Sequence, residues 1–394
     1  MKIKEVSARK IINSKGDQTI EVEVNGFISS IGNGTSTGKF EVNALPSNID
    51  NVVRRFNTTI TKNIINMSFN SFEDLDKVER VIRAEDFSND FRELGGNLLV
   101  DLQLAILKAV SEGKVYELLG GKKLPLPVGN IIGGGKHAGV KSPDIQEFLI
   151  IPRAKTIEDA VFANVSFHSM IREKIAKIDK NFNFGRNIEG AWCPALNNYE
   201  ILDLLKKNKE KIEKEFKLKI DLGIDMAASG LWNGRMYQYK NFSRFSQKRV
   251  ISRKEQIAFV RKLINNYDLK YVEDPLHEED FEGFKELKGS SMIVGDDLTA
   301  TNIERLKQAE GCINAVIVKP NQIGSLLKVK QVIDYAKSKK IKIIVSHRSG
   351  ETEDNILSHL AVGWGADYIK TGIEGARISK LNELLRISDR YSKV

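Results

Sequence analysis

Cysteine is almost absent from this chain: Cys193 and Cys312 are the only two, and they stand far apart. They allow neither a disulfide framework nor a paired-cysteine metal site, so a reduced, cytoplasmic setting is expected. No apolar run approaches the roughly 20 residues a membrane helix needs. The opening Met1-Lys2-Ile3-Lys4-Glu5 lacks the apolar core of a secretory signal. Short-period repeats and low-complexity segments are also missing, which excludes solenoids. With 41% hydrophobic residues, 29% charged residues and few prolines, the composition is that of a globular protein, and 394 residues suggest two or three domains.

The formal charge is +9, but the lysines are spread along the whole chain. The densest run, Lys206 to Lys219, alternates with Glu210, Glu213 and Glu215, while Ile201, Leu205, Ile212 and Phe216 mark a buried stripe. This reads as the solvated face of an amphipathic helix. No aromatic-rich basic motif accompanies it, so nucleic acid is not an expected partner.

Residues 1 to about 30 read as strands, with Glu21-Val22-Glu23-Val24 alternating after a Ser14-Lys15-Gly16-Asp17 turn. From about 71 to 120 the pattern is helical. The stretch Gly120-Gly121-Lys122-Lys123-Leu124-Pro125 then breaks it, placing a domain boundary between residues 1–124 and 125–394. Beyond it, short apolar runs alternate with amphipathic helices. One helix opens with the capping-box spacing Ser252/Glu255, and another carries Leu326, Val329, Ile333 and Ala336 on one face. Strands are expected at 222–224, 271–272, 292–294, 316–318, 343–345 and 368–369, as a parallel sheet with covered faces. The fold class is α/β: an α+β N-terminal domain followed by a β/α barrel.

Each of these apolar runs is followed by an ionisable residue: Asp225, Glu273, Asp296, Lys319, His347 and Lys370, several at steps of about 23 residues. A closed barrel points all its strand ends into one mouth, whereas an open sheet strings them along an edge. Six such residues in succession favour the barrel. Asp225, Glu273 and Asp296 together would repel one another, and a hard divalent cation such as magnesium resolves that repulsion. Lys319, His347, Arg348 and Lys370 reverse the charge on the later strands. Acids on one side and cations on the other frame a substrate carrying carboxylate and phosphate, and suit proton abstraction beside the carboxylate. Lys319 is the candidate base, its pKa lowered by the neighbouring cations.

Two glycine-rich segments resemble nucleotide loops without being them. Gly32 to Lys39 is one residue too long for a P-loop, and Phe40 stands where a hydroxyl residue would hold magnesium. It reads as a lid that closes on an anion or metal. Gly133 to Gly139 reads as a flexible loop presenting His137. His168 and His359, on predicted helices, are expected to pack, and His277 in its acidic loop to be solvated.

The motifs resemble those of the enolase family along nearly the whole chain. They are Ala8-Arg9-Lys10-Ile11-Ile12-Asn13-Ser14-Lys15-Gly16, Gly34-Thr35-Ser36-Thr37-Gly38, Val272-Glu273-Asp274-Pro275-Leu276, Val294-Gly295-Asp296-Asp297-Leu298-Thr299, Lys319-Pro320-Asn321-Gln322 and Ser346-His347-Arg348-Ser349-Gly350-Glu351. The resemblance implies an enolase-type barrel, a magnesium-dependent dehydration of 2-phosphoglycerate to phosphoenolpyruvate in glycolysis and gluconeogenesis, and a dimer or octamer. It assigns Asp225, Glu273 and Asp296 to a first magnesium, with Ser36 helping to hold a second that is completed on substrate binding. It makes Lys319 the base, sets Lys370 on the substrate carboxylate, and gives the phosphate to Arg348 and Ser349 with His347 beside them. Glu147 and Glu189 would assist departure of the hydroxide, with His137 arriving on its loop.

The chain departs from the family in four places. The run Gly-Asp-Glu-Gly-Gly becomes Asn187-Ile188-Glu189-Gly190-Ala191, the interval from His137 to Glu147 is longer by about one residue, Lys15 replaces an arginine, and the first domain is trimmed. The altered run leaves two other readings open: a paralogue acting on another phosphorylated hydroxy acid, and a non-catalytic binding protein using the basic surface.

Overall fold

A computed structural model describes residues 1–34, 38–121, 123–139, 141–241 and 249–391. The first part carries a three-stranded antiparallel sheet of β1 (Val6–Ile12), β2 (Gln18–Val24) and β3 (Phe27–Ser29). The β1–β2 turn is closed by Asn13, whose Oδ1 accepts from the backbone N–H of Lys15 (2.9 Å) and Asp17 (3.1 Å). The helix Gly96–Val110, buried on almost every face, lies over this sheet. Its all-round apolar character fits a helix enclosed on every side.

Eight strands close into a barrel. They are β4 (Leu126–Gly133), β5 (Glu147–Arg153), β6 (Lys219–Asp225), β9 (Leu269–Glu273), β10 (Met292–Gly295), β11 (Ala315–Val318), β12 (Lys342–Ser346) and β13 (Tyr368–Lys370). A separate hairpin is formed by β7 (Tyr237–Tyr239) and β8 (Arg249–Ile251). The expected barrel is present, but the expectation of a parallel sheet needs correction. β5 runs antiparallel to both of its neighbours, β4 and β6, and the other barrel pairs are parallel. β4 and β5 lie outside the strands expected from sequence; Pro127, Gly129 and Asn130 break up the apolar run of β4, and Pro152 closes that of β5.

Reversal has a direct consequence. Glu147, the first residue of β5, pairs with Gly133 at the end of β4 and with Asp225 at the end of β6. An acid that opens its strand thus reaches the mouth that the other strands reach at their C-terminal ends.

Alternation explains why the mouth is charged while the barrel below it is apolar. Leu149, Ile151, Tyr271, Val294, Ala315, Ile317 and Tyr368 pack together inside the barrel. Successive side chains of a strand point to opposite faces. Glu147, Glu273, Asp296, Lys319 and Lys370 each lie two residues from one of these interior positions, and so share the inward face. Val316 and Val318 face the surrounding helices and join the larger core instead. The capping-box prediction holds, with Ser252 at the N-cap of the helix Arg253–Tyr267; Ser325 caps the helix Leu326–Ser338.

The N-terminal domain is seated on the barrel mouth. Asn33 and Gly350 exchange backbone hydrogen bonds of 2.9 and 3.0 Å. Asp354 accepts from Ser29 Oγ and the Ser30 N–H (both 3.0 Å) and pairs with Lys108 at 2.8 Å.

Candidate active site

The barrel mouth holds a cavity of about 230 Å³. His137, Glu147, Glu189, Asp225, Asp296, Lys319, His347, Arg348, Ser349 and Lys370 line it. Glu273 is fully buried against Lys370, and Ser36 lies outside the described residues.

Lys370 Nζ sits 2.6 Å from Glu147 Oε2, 2.8 Å from Glu273 Oε2 and 2.9 Å from Asp225 Oδ2. Burial opposes its charge, but Asp225, Glu147 and Glu273 together hold its pKa well above the usual lysine range. Lys319 Nζ forms an ion pair with Asp296 Oδ2, whose Oδ1 accepts from Gln322 Nε2 at 3.0 Å. The expectation of a lowered Lys319 pKa is corrected here. Burial, Arg348 and Lys370 do press it down, but the Asp296 carboxylate outweighs them and the amine is raised above its ordinary value.

Asp225, Glu273 and Asp296 are gathered around lysines rather than packed as one group. Among the described residues, the acid clusters with ligand atoms within 4.8 Å are His137–Glu147–Glu189 and Asp274–Asp296–Asp297. Asp274 already accepts from the N–H groups of Asp296 (3.0 Å) and Asp297 (2.7 Å), so it shapes the strand end. The expected trio nevertheless fits a hard cation. Among the described residues Glu273 Oε1 is buried without a hydrogen-bond partner, and burial followed by the Asp225 charge pushes its carboxyl up to about 8. A buried carboxylate oxygen that lacks a hydrogen-bond partner is what a hard, oxygen-seeking metal satisfies.

Glu147 and Glu189 bring carboxylate oxygens within 4.8 Å of each other and of a His137 nitrogen. Burial first, and then the Glu189 charge, raises Glu147 well above the usual range. Glu189 is held well below it: burial works against its charge, but His137 and the hydrogen bond from Glu147 prevail. Their surroundings thus push the two neighbouring carboxyls in opposite directions. Glu189 Oε2 also accepts from Asn130 Nδ2 at 3.2 Å and lies 3.4 Å from His137 Nδ1.

On the opposite wall, Arg377 Nε donates to His347 Nδ1 at 2.9 Å, and Arg377 Nη2 donates to the carbonyls of Arg348 (3.2 Å) and Ser349 (2.9 Å). Burial and then the Arg377 charge hold His347 well below its usual range, so the imidazole stays neutral. Arg348 Nη1 donates to Glu41 Oε2 (2.7 Å) and Asn321 Oδ1 (3.0 Å).

Arg377, Glu41 and Asn130 were not anticipated. A lone amide in the apolar run of β4 was the available signal for Asn130; nothing in the local sequence marks the other two. Of the remaining histidines, His168 is packed, its ring 4.6 Å from that of Trp192, and His359 is buried on its helix. The solvated placement expected for His277 is corrected: its ring stacks on Trp232 at 4.7 Å and is half-buried.

Comparison with known proteins agrees with this geometry. A family model described as "Enolase, N-terminal domain" matches residues 3–119, and one described as "Enolase, C-terminal TIM barrel domain" matches residues 121–394. The chain is 41% identical to the enolase of Methanothermobacter thermautotrophicus over 413 residues, covering 100% of this chain and 98% of that protein. It is 40% identical to the enolase of Pyrobaculum aerophilum and 39% identical to that of Archaeoglobus fulgidus, each over 100% of this chain and 98% of the relative.

Proposed function

Because the chain belongs to the enolase family, we propose that it is a phosphopyruvate hydratase, a carbon–oxygen lyase that dehydrates 2-phosphoglycerate to phosphoenolpyruvate. The observation that carries this reading is the meeting of three features in one cavity: the Lys319–Asp296 pair, the Lys370-linked carboxylates and the close-set His137–Glu147–Glu189 group. Residues 1–124 form the capping domain and residues 125–394 the catalytic barrel. Magnesium is the metal that suits the all-oxygen set Asp225, Glu273 and Asp296, which would hold it, and Ser36 would help hold a second ion completed on substrate binding. When bound, magnesium supplies positive charge against the carboxylate oxygens where charge collects as the C2 proton leaves.

Lys319 takes the C2 proton. It can do so only when Asp296 no longer holds its ammonium, and Arg348 and Lys370 then favour the neutral amine. Lys370 faces the substrate carboxylate. Arg348 and Ser349 hold the phosphate beside neutral His347. Glu147 gives its proton to the departing C3 hydroxide, which leaves as water, while Glu189 and His137 hold that acid in place. Each proton has a named origin and destination: C2 to Lys319, and Glu147 to the leaving oxygen.

No helix among the described residues is long and apolar enough to cross a membrane. A cytoplasmic homo-oligomer acting in glycolysis and gluconeogenesis fits this reading. The test follows the absorbance of phosphoenolpyruvate formed from 2-phosphoglycerate, with magnesium and with chelator. Folded protein that forms none, or that works equally well under chelation, refutes the proposal.

A further inference from the structure

We propose that Asn187 is a positioning residue that sets Glu189 against Glu147; this deepens, and rests on, the hydratase reading above. The carboxyl pair depends on where a short turn places Glu189, and that turn is organised around one side chain. Asn187 Oδ1 accepts from the N–H groups of both Glu189 and Ala191, each at 2.9 Å. Its own N–H donates to the Ala191 carbonyl (2.8 Å), and its carbonyl accepts from Gly190 (3.0 Å). An amide oxygen that satisfies two inward-pointing N–H groups fixes a turn in the same way as a cap fixes a helix.

The turn is also anchored to the barrel. Trp192 N–H donates to Ile131 O (3.1 Å), and Gly133 N–H donates to Trp192 O (2.9 Å). The Asn187 amide lies directly over Gly133, where an added Cβ would come within 2.1 Å of Nδ2. Gly133 is the register partner of Glu147. One amide therefore spans from the strand end beside Glu147 to the backbone of Glu189. His168 Nε2–H holds the far side by donating to the Gly190 carbonyl at 3.2 Å.

Asn187 is buried and does not line the cavity, so it acts through Glu189 rather than on substrate. Among the described residues its Nδ2 has no partner, so the side chain's hydrogen bonding falls to Oδ1. A carboxylate at this position would preserve both contacts and a methyl would preserve neither. Asn187, Ile188 and Ala191 are where the chain departs from its family's run, so this lock belongs to the turn as it stands here.

The test compares Asn187→Ala and Asn187→Asp in the full-length, magnesium-loaded protein. Two rates are read: dehydration of 2-phosphoglycerate, and exchange of its C2 proton with deuterated solvent. Misplacing a catalytic group by about 1 Å costs up to ~10²-fold. Asn187→Ala should therefore lower dehydration by roughly ten- to hundred-fold while leaving C2 exchange within about twofold. Asn187→Asp should recover most of the lost rate. Crystal structures of both variants test the geometry independently of rate: Glu189 should leave Asn130 in the alanine variant and stay beside it in the aspartate variant. Equal loss of both rates, no loss of dehydration, or an unmoved Glu189 in Asn187→Ala overturns the inference. Wild-type protein that neither dehydrates nor exchanges would refute the hydratase reading instead, and the position of Glu189 in the two crystal structures would then decide the role of Asn187.

Discussion

Glu41 Oε2 lies 2.7 Å from Arg348 Nη1, with both side chains buried where the N-terminal domain meets the barrel mouth. The residue proposed to bind phosphate thus already has an anionic partner, 307 positions away in sequence. Removing one member of a buried ion pair leaves an uncompensated charge and can cost several kcal/mol.

Glu41→Gln is therefore expected to lower thermal stability, by up to roughly 3 kcal/mol. Inorganic phosphate should raise the Tm of the variant by more than that of the wild type, since it replaces the missing countercharge. A variant as stable as wild type in phosphate-free buffer would contradict this account of the pair.

Lys319→Ala should abolish both dehydration and C2 proton exchange, by at least ~10²–10⁴-fold, the usual worth of a positioned base. Nuclear magnetic resonance of 2-phosphoglycerate in deuterated buffer reads the exchange directly. Exchange that persists in a folded Lys319→Ala protein would assign the base to another group.

His168 makes stability depend on acid. Burial first, with Arg186 and Arg172 adding to it, lowers its pKa from the ordinary 6.5 to about 4. Between those values the unfolded chain binds a proton that the folded chain refuses, so stability is present above pH 6.5 and falls as pH drops toward about 4. The loss should be at most of the order of 3 kcal/mol. Denaturant titrations at stepped pH should show this slope in wild type and a flatter one in His168→Gln. Parallel slopes would remove His168 as the cause.

Chelation should stop dehydration, and added magnesium should restore it. With the Glu273 carboxyl raised to about 8, magnesium binding should expel a proton at pH 7 and cease to do so well above pH 8. Calorimetry in buffers of different ionisation enthalpy counts that proton. Binding heats independent of buffer at pH 7 would show that Glu273 ionises before the metal arrives.

The catalytic face of the barrel was legible because strands alternate. Runs such as Ala315-Val316-Ile317-Val318 followed by Lys319 carry inward parity from apolar interior to charged mouth, and the run recurs on successive strands. Glu147 reached its place only through the reversal of β5, and no local pattern distinguishes a strand that enters the mouth from one that leaves it. The Lys319 expectation failed for a similar reason. Sequence showed its cationic neighbours, Arg348 and Lys370, but the Asp296 carboxylate at the end of the adjacent strand β10 decides the sign of the shift.

The amino-acid order alone specified that acids, then cations, stand at the ends of successive apolar strands, because residue type and a period of two are local properties. The direction of β5 and the partners Glu41, Arg377 and Asn130 were decided by tertiary structure. Each of those depends on which segments meet after folding, and contacts between distant segments leave no mark in the residues on either side of them.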